Sequence, residues 1–122
     1  MKIDNFKFDK DTNTISLRLD EKPVSITCQH LQNALLYKKA NIILALTGEG
    51  NLPSILVGFS VEGDKKFEVG PPEGFSFYYL VDHPQADAVV VCVSEKYVEG
   101  RTDWHFSVDI SSGKLSRLCP AY

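Results

Sequence analysis

Between Ala86 and Val93 the chain reads Ala-Asp-Ala-Val-Val-Val-Cys-Val, apolar at both odd and even positions. An extended strand shows its two faces alternately, so a strand of this composition needs cover on both sides. That requirement limits the fold more than any other feature of the sequence, and Ile42 to Leu46 repeats it. The segment Asp103 to Ile110 behaves differently. Trp104, Phe106, Val108 and Ile110 fall on one face, and Asp103, His105, Ser107 and Asp109 on the other. The pattern predicts a central strand over 86–94 followed by a strand with one wet face. Val90, Cys92 and Trp104 should be more buried than His105 and Asp109.

The remaining segments supply neighbours for these strands. Residues 3–8 and 14–20 read as a hairpin around Asp9-Lys10-Asp11-Thr12-Asn13. Asp9, Asp11, Asn13 and Asp20 fit positions 1, 3, 5 and 12 of a calcium loop, but Thr14 stands where the loop needs glycine and the flanks are strands, so a turn is the reading. Residues 28–39 predict a helix: Thr27 can cap it, Leu31, Ala34 and Leu35 share one face, and Lys38 and Lys39 complement the dipole in its last turn. Gly48-x-Gly50 resembles part of a dinucleotide fingerprint, yet Pro53 takes the third glycine position and Ile55 to Val61 alternates as a strand where a phosphate cradle needs a helix. Phe67 to Val69, Phe75 to Val81 and Leu115 to Leu118 complete the list. The expected fold class is α+β, mostly antiparallel β of about eight strands, with one helix near 28–39. That helix would be roughly 18 Å long, too short to cover a broad sheet. A curved sheet folding on itself, a sandwich, or a face buried in a partner would satisfy the doubly apolar strands.

With 122 residues, the chain is expected to form a single domain spanning 1–122. It contains no apolar run long enough to span a membrane and its first residues do not read as a signal peptide. Cys28, Cys92 and Cys119 are odd in number and widely spaced, which favours a reducing, cytoplasmic setting and small buried hydrophobes over a disulfide framework. The net charge of −3 is unevenly spread, since residues 62–103 carry 9 acidic against 4 basic side chains. An acidic half disfavours nucleic acid and suits a basic protein partner.

No catalytic or cofactor motif survives inspection. Asp103, His105 and Ser107 have triad composition, but their spacing of about 6.8 Å along one strand face forbids a relay among all three. Cys28 with His30, or Cys92 with His83 or His105, would pair only if the fold joined them, and Cys92 among valines is a poor thiolate. Cys28-x-His30 is the one close pair of zinc-ligand types and is poorly placed for that role. The reading is therefore of no metal, no cofactor, no covalent nucleophile and no enzymatic activity. The residues expected to meet a partner are Glu62, Asp64, Glu68, Glu73, Asp87, Glu95 and Glu99, with Tyr78 as an aromatic anchor.

In size, mostly-β pattern and the acid-rich half ending in Glu95-Lys96-Tyr97-Val98-Glu99, the chain resembles the small acidic cytoplasmic immunity proteins of bacterial contact-dependent growth inhibition. The resemblance covers the whole chain in character and carries over no functional residue. It implies an inhibitor that binds one cognate toxin domain, often a nuclease, and blocks its active site. The alternatives are a small-ligand carrier or enzyme of cup-shaped α+β type, with Tyr78, His83 and His105 near a pocket mouth, and a subunit whose apolar sheet face pairs in a homodimer.

Overall fold

All six residues of Ile42–Thr47 are buried in the computed structural model, which describes residues 1–121. Ile42, Leu44 and Leu46 enter one core while Ile43 and Ala45 enter another, so this strand lies between two layers. The described residues form eleven strands and no helix: β1 (Ile3–Asp9), β2 (Thr14–Leu19), β3 (Lys22–Thr27), β4 (Leu31–Tyr37), β5 (Ile42–Thr47), β6 (Ile55–Ser60), β7 (Lys65–Val69), β8 (Phe75–His83), β9 (Ala86–Val98), β10 (Arg101–Val108) and β11 (Leu115–Pro120). They pair in chain order into three antiparallel sheets: β1-β2-β3, β4-β5-β6-β7 and β8-β9-β10-β11. The middle sheet shares one core with the N-terminal sheet, built on Ile15, Leu17, Ile26, Val57 and Phe59. It shares the other with the C-terminal sheet, where Tyr37, Phe67, Phe77, Trp104 and Phe106 dominate.

The fold is therefore all-β, and the α+β expectation with its helix at 28–39 and about eight strands is corrected. Residues 31–37 are β4, an edge strand of the middle sheet. A bulge between Leu31 and Asn33 shifts the phase of this strand. Leu31, Ala34 and Leu36 consequently face the N-terminal core, while Leu35 and Tyr37 face the other. A strand buried on both faces and broken by one bulge places apolar residues at i, i+3 and i+4, which imitates a helix stripe. His30 (φ +56°) and Asn41 (φ +51°) close its two ends in left-handed turn conformations.

The doubly apolar segment of the C-terminal half is β9, paired on both sides by β8 and β10. Val90, Cys92 and Trp104 are buried, His105 is half-buried and Asp109 exposed, in the order the alternation predicts. Ala88, Val90 and Cys92 point into the aromatic core. Val89 and Val91 point outward, yet both are 0 % exposed. Bulges between Phe77 and Tyr79 and between Val81 and His83 bend the β8–β9 ribbon. The sheet curls over its own outer face.

Two contacts tie the middle sheet to the C-terminal sheet. The Tyr37 hydroxyl lies 2.6 Å from the Val89 carbonyl oxygen, to which it donates, and 3.2 Å from that of Val81. The Phe67 ring packs on Gly58 of β6 and on Gly113 in the β10–β11 turn; a methyl group at either glycine would overlap it. Gly113 also holds φ +79°, which glycine adopts without penalty.

Candidate functional site

The curl of the C-terminal sheet gathers three side chains from three strands. His105 on β10 and Cys119 on β11 are direct cross-strand partners. His83 lies at the end of β8, the opposite edge of the sheet. Three strand spacings would keep it about 14 Å from β11 in a flat sheet. Instead His83 Nε2 is 3.5 Å from Cys119 Sγ, and His105 Nδ1 is also 3.5 Å from that sulfur. The imidazole centroids are 4.6 Å apart, tilted by 57°. All three residues are half-buried, so the group is reachable from solvent.

A backbone hydrogen bond sets the tautomer of the neutral His83 ring. The Gln85 backbone N–H donates to His83 Nδ1 at 3.1 Å. In the neutral ring that leaves the proton on Nε2, directed at the sulfur. His105 Nδ1 stands 3.2 Å from the Pro120 carbonyl oxygen as well as beside Cys119. Two imidazoles thus converge on one thiol.

The fold does not join Cys92 to either histidine; it brings Cys119 to both. Cys92 points into the aromatic core, where burial pushes its thiol up to about 12. Cys28 is buried against the N-terminal core and its thiol is also raised, first by desolvation and then by Glu68. His30 turns away to Glu49, with His30 Nε2 3.2 Å from Oε1. Of the triad-like residues, Asp103 accepts a hydrogen bond from the Thr102 hydroxyl at 3.0 Å, and Ser107 donates to the Ser116 carbonyl at 3.3 Å. The calcium-loop oxygens are likewise used locally: Asp9 Oδ1 accepts from Asp11 N–H and Asn13 Oδ1 from Leu31 N–H. The His105–Cys119 pairing was only partly legible: the hairpin register pairs Val108 with Leu115, Ser107 with Ser116 and Phe106 with Arg117, and a register shift between His105 and Phe106 then sets Cys119 rather than Leu118 opposite His105. His83 was not, since only the curl delivers it.

The eight residues expected at a partner surface are all exposed, but the fold divides them. Glu62, Asp64 and Glu68 lie at the β6–β7 edge of the middle sheet, where Glu68 pairs with Lys65 at 3.0 Å. Asp87 lies beside the β8–β9 turn. Glu73, Glu95 and Glu99 share the other end of the C-terminal sheet, where the last β8–β9 pair is Phe75 with Ser94. Beyond that pair β9 runs to Val98 beside β10 alone, as a projecting arm with a register shift that sets Val93 opposite Asp103 but Val98 opposite Arg101. The buried Ser94 hydroxyl bonds the Lys96 carbonyl at its base. Glu99 on this arm pairs with Arg117 at 2.9 Å, and Arg117 also lies 4.6 Å above the Trp104 ring. Tyr78 is 46 % exposed, edge-on to Tyr79, but the more exposed aromatic is Tyr97 on the arm, at 78 %. Tyr97 lies past the last residue of β9 that β8 pairs, which leaves its ring without a neighbouring strand on that side.

Open hollows lie among the described residues. One of about 610 Å³ lies along Lys7 to Asp11 and Ser16. Another, of about 480 Å³, is bounded by Tyr37, Lys38, Lys39, Asp82, His83 and Asp87. Among the described residues, no helix is long and apolar enough to cross a membrane. Compared with known protein families, curated proteins and solved structures, the chain matches none.

Proposed function

We propose that this chain is a non-enzymatic binding protein that acts in the cytoplasm and neutralises a basic protein partner, a toxin domain such as a nuclease. The observation that carries this reading is the β9–β10 arm: an aromatic side chain 78 % exposed, set in sequence between the exposed Glu95 and Glu99. An exposed aromatic beside carboxylates suits a partner with a basic rim around an apolar pocket. The acid-rich composition of 62–103 supports it through long-range steering, and the three cysteines, all unpaired, agree with a reducing compartment.

The test begins with the product of the adjoining reading frame. It should arrest growth when expressed alone and be silenced by this chain. Changing Glu73, Glu95 and Glu99 together to Lys should then slow association tenfold or more at low salt and flatten its salt dependence. Tyr97→Ala should raise the dissociation rate, as should Tyr78→Ala to a smaller extent. The set Glu62, Asp64, Glu68 and Asp87 changed to Lys is the comparison surface. If neither charge set alters association, steering is absent. If the neighbouring product is harmless and a small molecule co-purifies in the hollow beside Lys38 and Asp82, the carrier reading replaces this one.

A further inference from the structure

We propose that His83, His105 and Cys119 form a binding site for a divalent transition-metal ion of the zinc class. The site is independent of the partner surface on the β9–β10 arm. Its first support is distance. A tetrahedral ion with metal–sulfur bonds of about 2.3 Å and metal–nitrogen bonds of about 2.0–2.1 Å holds its nitrogen and sulfur ligands about 3.6 Å apart. Both nitrogen–sulfur separations are 3.5 Å, and the three donor atoms all lie within 4.8 Å of one another. The second support is donor chemistry. Two imidazoles and a thiolate form a borderline-soft set that selects zinc-like ions and discriminates against magnesium and calcium, which require oxygen ligands. The third is construction. Two ligands are held in direct register on paired strands, and the third arrives only because two bulges curl the sheet. Three protein ligands leave a fourth position for water, and all three side chains are half-buried rather than enclosed.

Binding has a defined proton balance. The Cys119 thiol releases one proton to solvent as the sulfur becomes a ligand. Coordination through His83 Nε2 requires that its proton reside on Nδ1, so the Gln85 N–H must turn away from that atom. Pro84 and Gln85 are both exposed in the turn linking β8 to β9, where such a rotation disturbs no core residue. His105 likewise binds through Nδ1 with its proton on Nε2, giving up any donation to Pro120. Asp103, two residues from His105 on the same strand face, adds negative charge nearby.

The experiment titrates Co²⁺ into the reduced, tag-free full chain without oxygen. One equivalent should produce a sulfur-to-cobalt charge-transfer band and the visible bands of a tetrahedral ion, both abolished by one equivalent of Zn²⁺. Cys119→Ser should remove the charge-transfer band. His83→Ala and His105→Ala should each weaken binding at least tenfold, while Cys28→Ser changes nothing. Because a variant can lose its fold, circular dichroism accompanies each one. A second measurement needs no variant: Zn²⁺ should protect Cys119 of the unmodified chain from iodoacetamide, mapped by mass spectrometry. Absence of saturable one-to-one binding, its survival in both Cys119→Ser and His105→Ala, or equal labelling of Cys119 with and without Zn²⁺ overturns the site and leaves a thiol hydrogen-bonded to two imidazoles.

Discussion

The N-terminal and C-terminal sheets flank the same middle sheet, yet their outer faces differ. In the N-terminal sheet the alternation is plain: Ile15, Leu17 and Ile26 point inward, while Arg18, Ser25 and Thr27 point outward and are exposed and Ser16 is half-buried. In the C-terminal sheet Val89 and Val91 point outward and are as buried as the core residues beside them. One sheet relies on a neighbour for cover and leaves its other face wet. The other covers itself by curling, and thereby draws together polar groups from strands that are not neighbours. A chemically distinctive cluster is thus a by-product of how the second sheet hides its valines.

The comparison makes predictions of decreasing size. Val91→Asp should destabilise by several kcal/mol, because an unpaired charge enters a water-free position. Ser25→Asp, on the corresponding face of the N-terminal sheet, should stay within about 0.5 kcal/mol. Equal costs in urea denaturation would break the contrast. Gly58→Ala should cost about 1–3 kcal/mol by overpacking against the Phe67 ring. Most of that cost should vanish in the Phe67→Ala background, and additivity there would show that the ring is not the obstacle. Tyr37→Phe should cost about 1 kcal/mol by removing the hydroxyl that reaches the Val89 carbonyl. The smallest effect is at Asp109, whose carboxyl is held below its usual range, first by the Ser111 and then by the Ser112 backbone N–H. A depressed folded value means that the contribution is present above the unfolded pKa of about 3.9 and is lost as pH falls through the folded one. The stability gap between the unmodified chain and Asp109→Ala should therefore close in acid; a gap independent of pH down to 2 would refute the assignment.

Much of the sheet structure was legible because it follows from period-two patterning and turn chemistry. The hairpin of β1 and β2, the two-faced burial of β5 and β9, and the orientation of β10 could all be read directly. What failed was β4. Its bulge at Gln32 displaced Leu31 by one position relative to Ala34, and a two-faced strand with one phase slip has the same apolar spacing as a helix. The candidate metal site was legible only in part, since the hairpin brings β10 and β11 together but a register shift between His105 and Phe106 decides that Cys119 meets His105. His83 depends on sheet curvature, which arises from bulges that no single residue type announces. The projecting arm was hidden for a different reason: a strand's length is visible in its own sequence, but the place where its partner stops is not.

The order of the strands has a consequence for how the chain reaches this state. Each ladder joins strands that follow one another in sequence, so every hairpin closes a short loop and long-range contacts arise only when finished sheets dock. Docking of the middle sheet between its two neighbours then becomes the expected slow step. In stopped-flow experiments, Leu44→Ala and Val57→Ala, which damage the two sheet-to-sheet cores, should slow refolding more than Ser25→Gly, which loosens one hairpin.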